Sequence, residues 1–376
     1  MSDPRLLQLA RQIVTYAVDV QNGEKVLIES WTGAEELTLL VIGEVYRRGG
    51  LPVVDYENAQ GRRAQLLGMT EEAARVLAEI EFERIKKVQC YINLRAIENN
   101  FEYTDVDAEK NGIYERAMAA ARNHRKRNTK WCSLKCPGPA MAQKFGMSTN
   151  GFIDFYFDAM LLDYGRMTEL AAPLMDLVKR TDRVHVKALD TDISFSIKGC
   201  KPDTPSFPND TGNGRLNLPD GEMGCGVVKE SVNGYIHYNT PTVYNDIPFS
   251  GIRLTVKDGK IIEAVSGDKR ADASLNKILD TDPGARYFGE FSIGINPMIN
   301  RAVGDILFDE KMWGTMHFTP GHSPSAVHWD MVLSHKKEDG GGEIWFDDVL
   351  IRKDGYFVPD ALKPLDPENM IREIKR

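Results

Sequence analysis

The sequence predicts an α/β N-terminal domain with a largely parallel sheet, followed by a β-rich α+β C-terminal domain. Two observations carry that expectation, and a third points to function. Apolar periods of 3.6 and of two alternate over the first 183 residues. Asp-Gly pairs separate alternating apolar runs in the second half. Four of the seven histidines fall between positions 317 and 335.

In "DPRLLQLARQIVTYAVDV", Pro4 stands just inside a helix start, and Leu6, Leu9, Ile13 and Ala17 are spaced for one face. Gly23 ends that helix, and "KVLIES" reads as a short buried strand. "AEELTLLVIGEVYRRGG" is helical until Gly49-Gly50, and "LPVVDY" is a strand again. Strand, helix, strand over about thirty residues is a βαβ unit with a right-handed, parallel crossover. "VQCYINLRA" and "WCSLKC" add strands, with helical patterns at 107–123 and 152–180. From about Arg183, "RVHVKALDTDISFSIKG" alternates with period two. "IRLTVKDGKIIEAV" and "VLIRKDGYFV" carry hairpin turns at Asp258-Gly259 and Asp354-Gly355, and "ADASLNKILD" is a lone helix. The expected domains are 1–183 and 184–376.

A chain of 376 residues with 42% hydrophobic and 27% charged residues can bury large cores unaided. A net charge of −8 argues against a nucleic-acid partner, and no window approaches twenty apolar residues, which argues against a membrane span. Five scattered cysteines and an N-terminus without a signal-peptide pattern read as a cytoplasmic protein with free thiols.

The stretch "HFTPGHSPSAVHWD" carries the chemistry. In an extended segment His328 and Asp330 share one face, while Val327, Trp329 and Met331 take the other. A turn at 320–325, favoured by Pro320, Gly321 and Pro324, pairs His317 directly with His328. Cβ atoms at such positions lie roughly 4.5–5.5 Å apart, close enough for both imidazoles and Asp330 to converge on one metal ion. Solvated hairpin histidines are the alternative. His322 at the turn tip reads as a loop residue or a substrate contact, and His335 as part of a charged loop.

A dinuclear hydrolytic site needs further anionic ligands, one of them bridging. Glu222 follows a Pro-Asp-Gly turn, and Glu290 stands in an apolar run where an unpaired carboxylate is costly. Glu290 could also be a structural partner to an arginine. Glu310 in "LFDEKMWGTMH" is a third candidate, although "FDEK" also reads as an exposed turn.

Taken in order, "VQNGEKVLIES", "NLPDGEMGCGVVKESVNGYI", "GIRLTVKDGKIIEA", "FGEFSIGINPMI" and "GTMHFTPGHSPSAVHWDMVL" resemble the aminopeptidase T and aminopeptidase S type of metallopeptidase. The resemblance implies two divalent ions (zinc, cobalt or manganese) in the C-terminal domain, a homodimer, and release of N-terminal amino acids from peptides. It carries the metal ligands onto Glu222, Glu290, His317, His328 and Asp330, and onto Glu310 at a longer spacing from the first histidine. The family's catalytic tyrosine, seven residues after that histidine, falls here on Pro324, which leaves His322 as the nearest polar substitute. The resemblance leaves Glu222 and Glu290 without separate roles. An alternative function is a mononuclear non-haem iron, ring-cleaving dioxygenase on the same scaffold, with His317, His328 and Asp330 as a facial triad. A third is a non-catalytic relative that binds metal or peptide without turnover.

Overall fold

The computed structural model describes residues 3–203, 215–244 and 247–374. They divide into two compact units. The first runs to Leu161 and takes in the strand Arg215–Leu218. The second comprises Leu162 to residue 203 and everything described from Pro219 onward.

In the first unit, five parallel strands lie in the order Leu51–Glu57, Lys25–Trp31, Cys90–Arg95, Lys130–Lys135 and Arg215–Leu218. Val26, Leu27 and Ile28 are fully buried in succession, as expected of a strand covered on both faces. The helix Pro4–Gln12 starts where Asp3 accepts the Arg5 backbone N–H at 2.9 Å. The crossover helix Glu35–Arg47 has Glu35 and Glu36 in its first turn, where the helix dipole favours negative charge.

The division at 161 lies ahead of the expected boundary at 183. The helix Tyr164–Arg180 packs within the second unit, where Arg166 pairs with Glu373 at 2.8 Å and the Tyr164 hydroxyl accepts the Asp220 N–H at 3.2 Å. The strand Arg215–Leu218 departs from the expected order in the other direction. Its backbone completes the parallel sheet although it follows three antiparallel strands in the chain.

The second unit is built on two large antiparallel sheets and a two-stranded one, Thr242–Tyr244 with Ile247–Phe249. The larger has eight strands and includes Arg183–Ala188, Thr191–Ser196, Gly342–Phe346 and Val349–Lys353. Its hairpins turn at Asp258-Gly259 (φ +49° and +82°) and Asp354-Gly355 (φ +49° and +89°), as the sequence predicts. The smaller sheet runs Val332–Ser334, Thr315–Pro320, Phe288–Gly294, Glu222–Gly226 and Pro202–Asp203. An aromatic core joins the two sheets. Phe318 stacks on Phe288 at 4.0 Å and on Phe195 at 4.5 Å, and Phe291 meets Phe195 and Phe346 edge-on. Because strand side chains alternate, burying Phe291 and Phe318 turns Glu290, His317 and Thr319 to the opposite face. No disulfide joins the five cysteines.

Candidate metal centre

Register aligns the centre. Glu222 is the Cα partner of Gly294, Glu290 of Gly226 and of Thr319, and His317 of Ser292. Glu222, Glu290 and His317 therefore project from one face of three adjacent strands. Two glycines make the approach possible. Gly221, at φ +123°, turns the chain into Glu222, and a Cβ there would lie 2.7 Å from Asn296 Cβ. A Cβ at Gly224 would lie 2.1 Å from the Phe291 carbonyl oxygen.

The expected pairing of His317 with His328 does not form. His317 is the Cα partner of Val332 instead. The return segment keeps that register as it approaches the turn, with Phe318 N–H donating to the Met331 carbonyl (3.1 Å) and Trp329 N–H to Pro320 (3.2 Å). A shift of four residues preserves parity, so His328 and Asp330 still share the face of His317. Asp330 lies beside Thr319, whose hydroxyl donates to Oδ1 at 2.7 Å. Trp329, fully buried, stacks on Tyr244 at 4.6 Å and donates its indole N–H to Thr242 Oγ1 at 3.2 Å. The turn itself hangs on other partners. Gly321 N–H donates to Tyr287, His322 N–H to Gly284, and Asp282 accepts Ala326 N–H and the Ser325 hydroxyl.

Two groups of donors result, each with three atoms within 4.8 Å of one another: Glu222, Glu290 and His317, and then Glu290, His328 and Asp330. We term them inner and outer. Glu290 belongs to both. Its Oε1 lies 3.4 Å from His317 Nε2 and its Oε2 lies 3.8 Å from His328 Nε2. Glu222 Oε2 is 3.5 Å from His317 Nε2, and Asp330 Oδ1 is 3.3 Å from His328 Nε2. One imidazole nitrogen and two carboxylates per group is a donor set suited to zinc, cobalt or manganese. Glu222 Oε2 is buried without a hydrogen-bond partner among the described residues, as an atom awaiting a cation would be.

The charges match that geometry. Burial alone would depress the His317 imidazole, but Glu290, Glu222 and Asp330 override it and push it up to about 10. Burial would raise Glu290, yet His317 holds it below the usual carboxylate range. Asp330 is likewise held low against its burial by His317, His328 and Thr319.

Several sequence expectations need correction. Glu310 is no exposed turn. It is buried and pairs with Lys311, and burial pushes its carboxyl well up. It belongs to neither donor group. His322 also stands outside both, with Nδ1 3.0 Å from the Ser323 carbonyl oxygen. His335, read as part of a charged loop, is fully buried, and burial beside Arg352 depresses it to about 3. The sequence reading missed Lys311, which is 1% exposed and reaches Glu222 Oε1 at 2.5 Å. Its only sequence signal is a lysine bracketed by Phe308 and Met312-Trp313. Tyr244 was missed as well. Its phenol is raised first by burial, with the backbone of His328 and the charge of Asp330 also acting on it.

Known proteins share this architecture. The solved structure of wild-type AmpT from Thermus thermophilus superposes with a TM-score of 0.79 at 19% identity, covering 95% of this chain and 99% of that one. A 2,5-dihydroxypyridine dioxygenase from Pseudomonas putida KT2440 superposes with a TM-score of 0.59 at 13% identity, over 96% and 99%. In sequence, aminopeptidase 2 of Geobacillus stearothermophilus is 34% identical over 131 residues, covering 34% of this chain and 31% of its own length. Aminopeptidase T of Thermus aquaticus is 26% identical over 207 residues, 48% of each chain. The chain thus spans less than half the length of either curated relative. A profile of the family described as thermophilic metalloprotease (M29) matches residues 2–326, and the chain belongs to that family.

Proposed function

We propose that this protein is a metal-dependent aminopeptidase whose inner and outer groups would hold two divalent ions, with Glu290 serving both. The observation that carries the reading is the divided Glu290 carboxylate, with one oxygen toward His317 and the other toward His328. Two such ions supply Lewis acidity and draw the pKa of bound water from 15.7 toward roughly 7. The chain's own residues do the rest. Glu222 and His317 complete the inner position, and His328 and Asp330 the outer. Thr319 fixes the Asp330 carboxylate by its 2.7 Å hydrogen bond. The exposed His328 leaves the outer position open toward a peptide with a free N-terminus.

The substrate class follows from the two curated relatives named aminopeptidases, and the homodimer from family resemblance alone. A cytoplasmic location accords with five cysteines that form no disulfide, and among the described residues no helix is long and apolar enough to cross a membrane. The iron dioxygenase reading has less support, because His317, His328 and Asp330 do not form one donor group.

The test is metal content per chain alongside hydrolysis of a peptide with a free or an acetylated N-terminus. Two ions per chain, with cleavage only of the free peptide, is the expected result. One iron per chain and oxygen uptake with an aromatic diol would sink the reading.

A further inference from the structure

Lys311 is among the most deeply buried charges of the second unit, with 1% of its side chain exposed. Its ammonium bonds Glu222 Oε1 at 2.5 Å and also Glu310 Oε1. The backbone around it is fixed, since its carbonyl accepts Asn296 N–H at 2.9 Å and its N–H donates to Phe308 at 3.0 Å. The Asn296 side chain in turn donates to the Asp220 carbonyl at 2.7 Å, immediately before the Gly221 turn that delivers Glu222. The lysine and the glutamate it holds are thus tied to one framework. Its effect is to split the Glu222 carboxylate. One oxygen is taken by the ammonium, and the other, without a partner among the described residues, faces His317 Nε2 at 3.5 Å. Among the described residues no lysine pairs with an outer-group carboxylate, and Lys311 reaches Asp330 only through Glu310, which bonds it. Asp330 Oδ1 receives a neutral hydroxyl from Thr319.

We infer that Lys311 is a positioning residue that makes the two ion positions unequal, an inference that rests on the dinuclear reading. By holding Glu222 Oε1 it restricts that carboxylate to a single donor oxygen, so the inner ion keeps a coordination position for water or substrate. A metal site that does chemistry needs such an open position. The same ammonium, one carboxylate away from the inner position, repels a divalent ion there, and burial strengthens that repulsion. Glu310 shares the ammonium and offsets part of it. The outer position therefore loads first and the inner second.

Chelator-stripped protein titrated with Co²⁺ alone, followed by calorimetry and visible absorption, tests this directly. Wild type should take up two ions in separate steps. In Lys311→Met the second step should tighten by about tenfold or more while the first is unmoved, a coupling of ordinary size between sites. The cobalt absorption should change as Glu222 becomes free to chelate, and kcat should fall although metal binds more tightly. A merely structural lysine would lose affinity and turnover together. Lys311→Gln, which keeps a neutral hydrogen-bond donor beside Glu222 but removes the charge, should likewise tighten the second step, and this variant decides the matter if Lys311→Met does not fold. An unmoved second step in either folded variant, or an equal shift of both steps, overturns the inference and leaves the dinuclear reading standing. Uptake of a single ion by wild type overturns both.

Discussion

The inner and outer positions use the same donor chemistry in opposite surroundings. His317 sits within a regular strand, paired with Ser292 on one side and Val332 on the other, and is 1% exposed. His328 lies outside any ladder and is 61% exposed, held through its neighbour Trp329 in an aromatic pocket. Hydrogen-bonded strands fix the first, and side-chain packing fixes the second. The contrast shows that one sheet face can pair a rigid, charge-sensitive position with one open to solvent, provided a single carboxylate spans them.

Removing that carboxylate should erase the contrast. Glu290→Ala is expected to lose both ions and to cut kcat/KM by more than about 100-fold, the upper effect of groups that only support ligands. Steady-state kinetics beside metal analysis checks it, and retention of one full ion would show that the positions do not share Glu290.

Stability in chelator should separate the two histidines. His317→Ala leaves Glu290 without its buried partner and Glu222 with Lys311 alone, an expected cost of about 3–5 kcal/mol. His328→Ala, at an exposed position, should cost no more than about 0.5 kcal/mol. Urea melts of both variants measure the gap, and equal losses would refute it.

Acid should act through a buried histidine outside both groups. His335 follows the strand Val332–Ser334, which pairs with the strand of His317. Burial holds its folded value at about 3 against 6.5 for the free group, so only the unfolded chain gains its proton readily. Its stabilising contribution is complete above pH 6.5 and drains away as pH falls toward 3, a loss on the order of 2–4 kcal/mol. His335→Leu should remove that limb of the acid-unfolding curve and leave the rest.

The smallest effect belongs to the outer side. Tyr244→Phe should keep the stacking on Trp329 and lower kcat by less than about tenfold, below the roughly 10²–10⁴-fold loss of a positioned proton donor. An unchanged pH profile of kcat would assign the phenol to packing.

Much of this was legible in the sequence. The Asp-Gly turns, the alternation that puts His328 and Asp330 opposite Trp329, and the glutamates at 222 and 290 all follow from period, turn chemistry and the cost of a lone buried carboxylate. What escaped depends on contacts distant in the chain. The register of His317 is set by strand pairing beyond the turn, so counting from Pro320 misplaced its partner by four residues. Lys311 and His335 sit in charged-looking runs, and only the packing of Asn296 and Arg352 around them reveals their burial. The strand Arg215–Leu218 is four residues long, too short for its period to announce a parallel neighbour.

The turn between the two histidines has its own anchors. Residues 321–326 hang on Asp282, Gly284 and Tyr287, whereas His328 and Asp330 are held by Pro320, Thr319 and the pocket around Trp329. The segment is therefore an exchangeable part. Its length and composition can be rewritten, by evolution or by grafting, and the ligand positions keep their places. Selectivity at the mouth of the centre and metal loading within it become separately tunable traits.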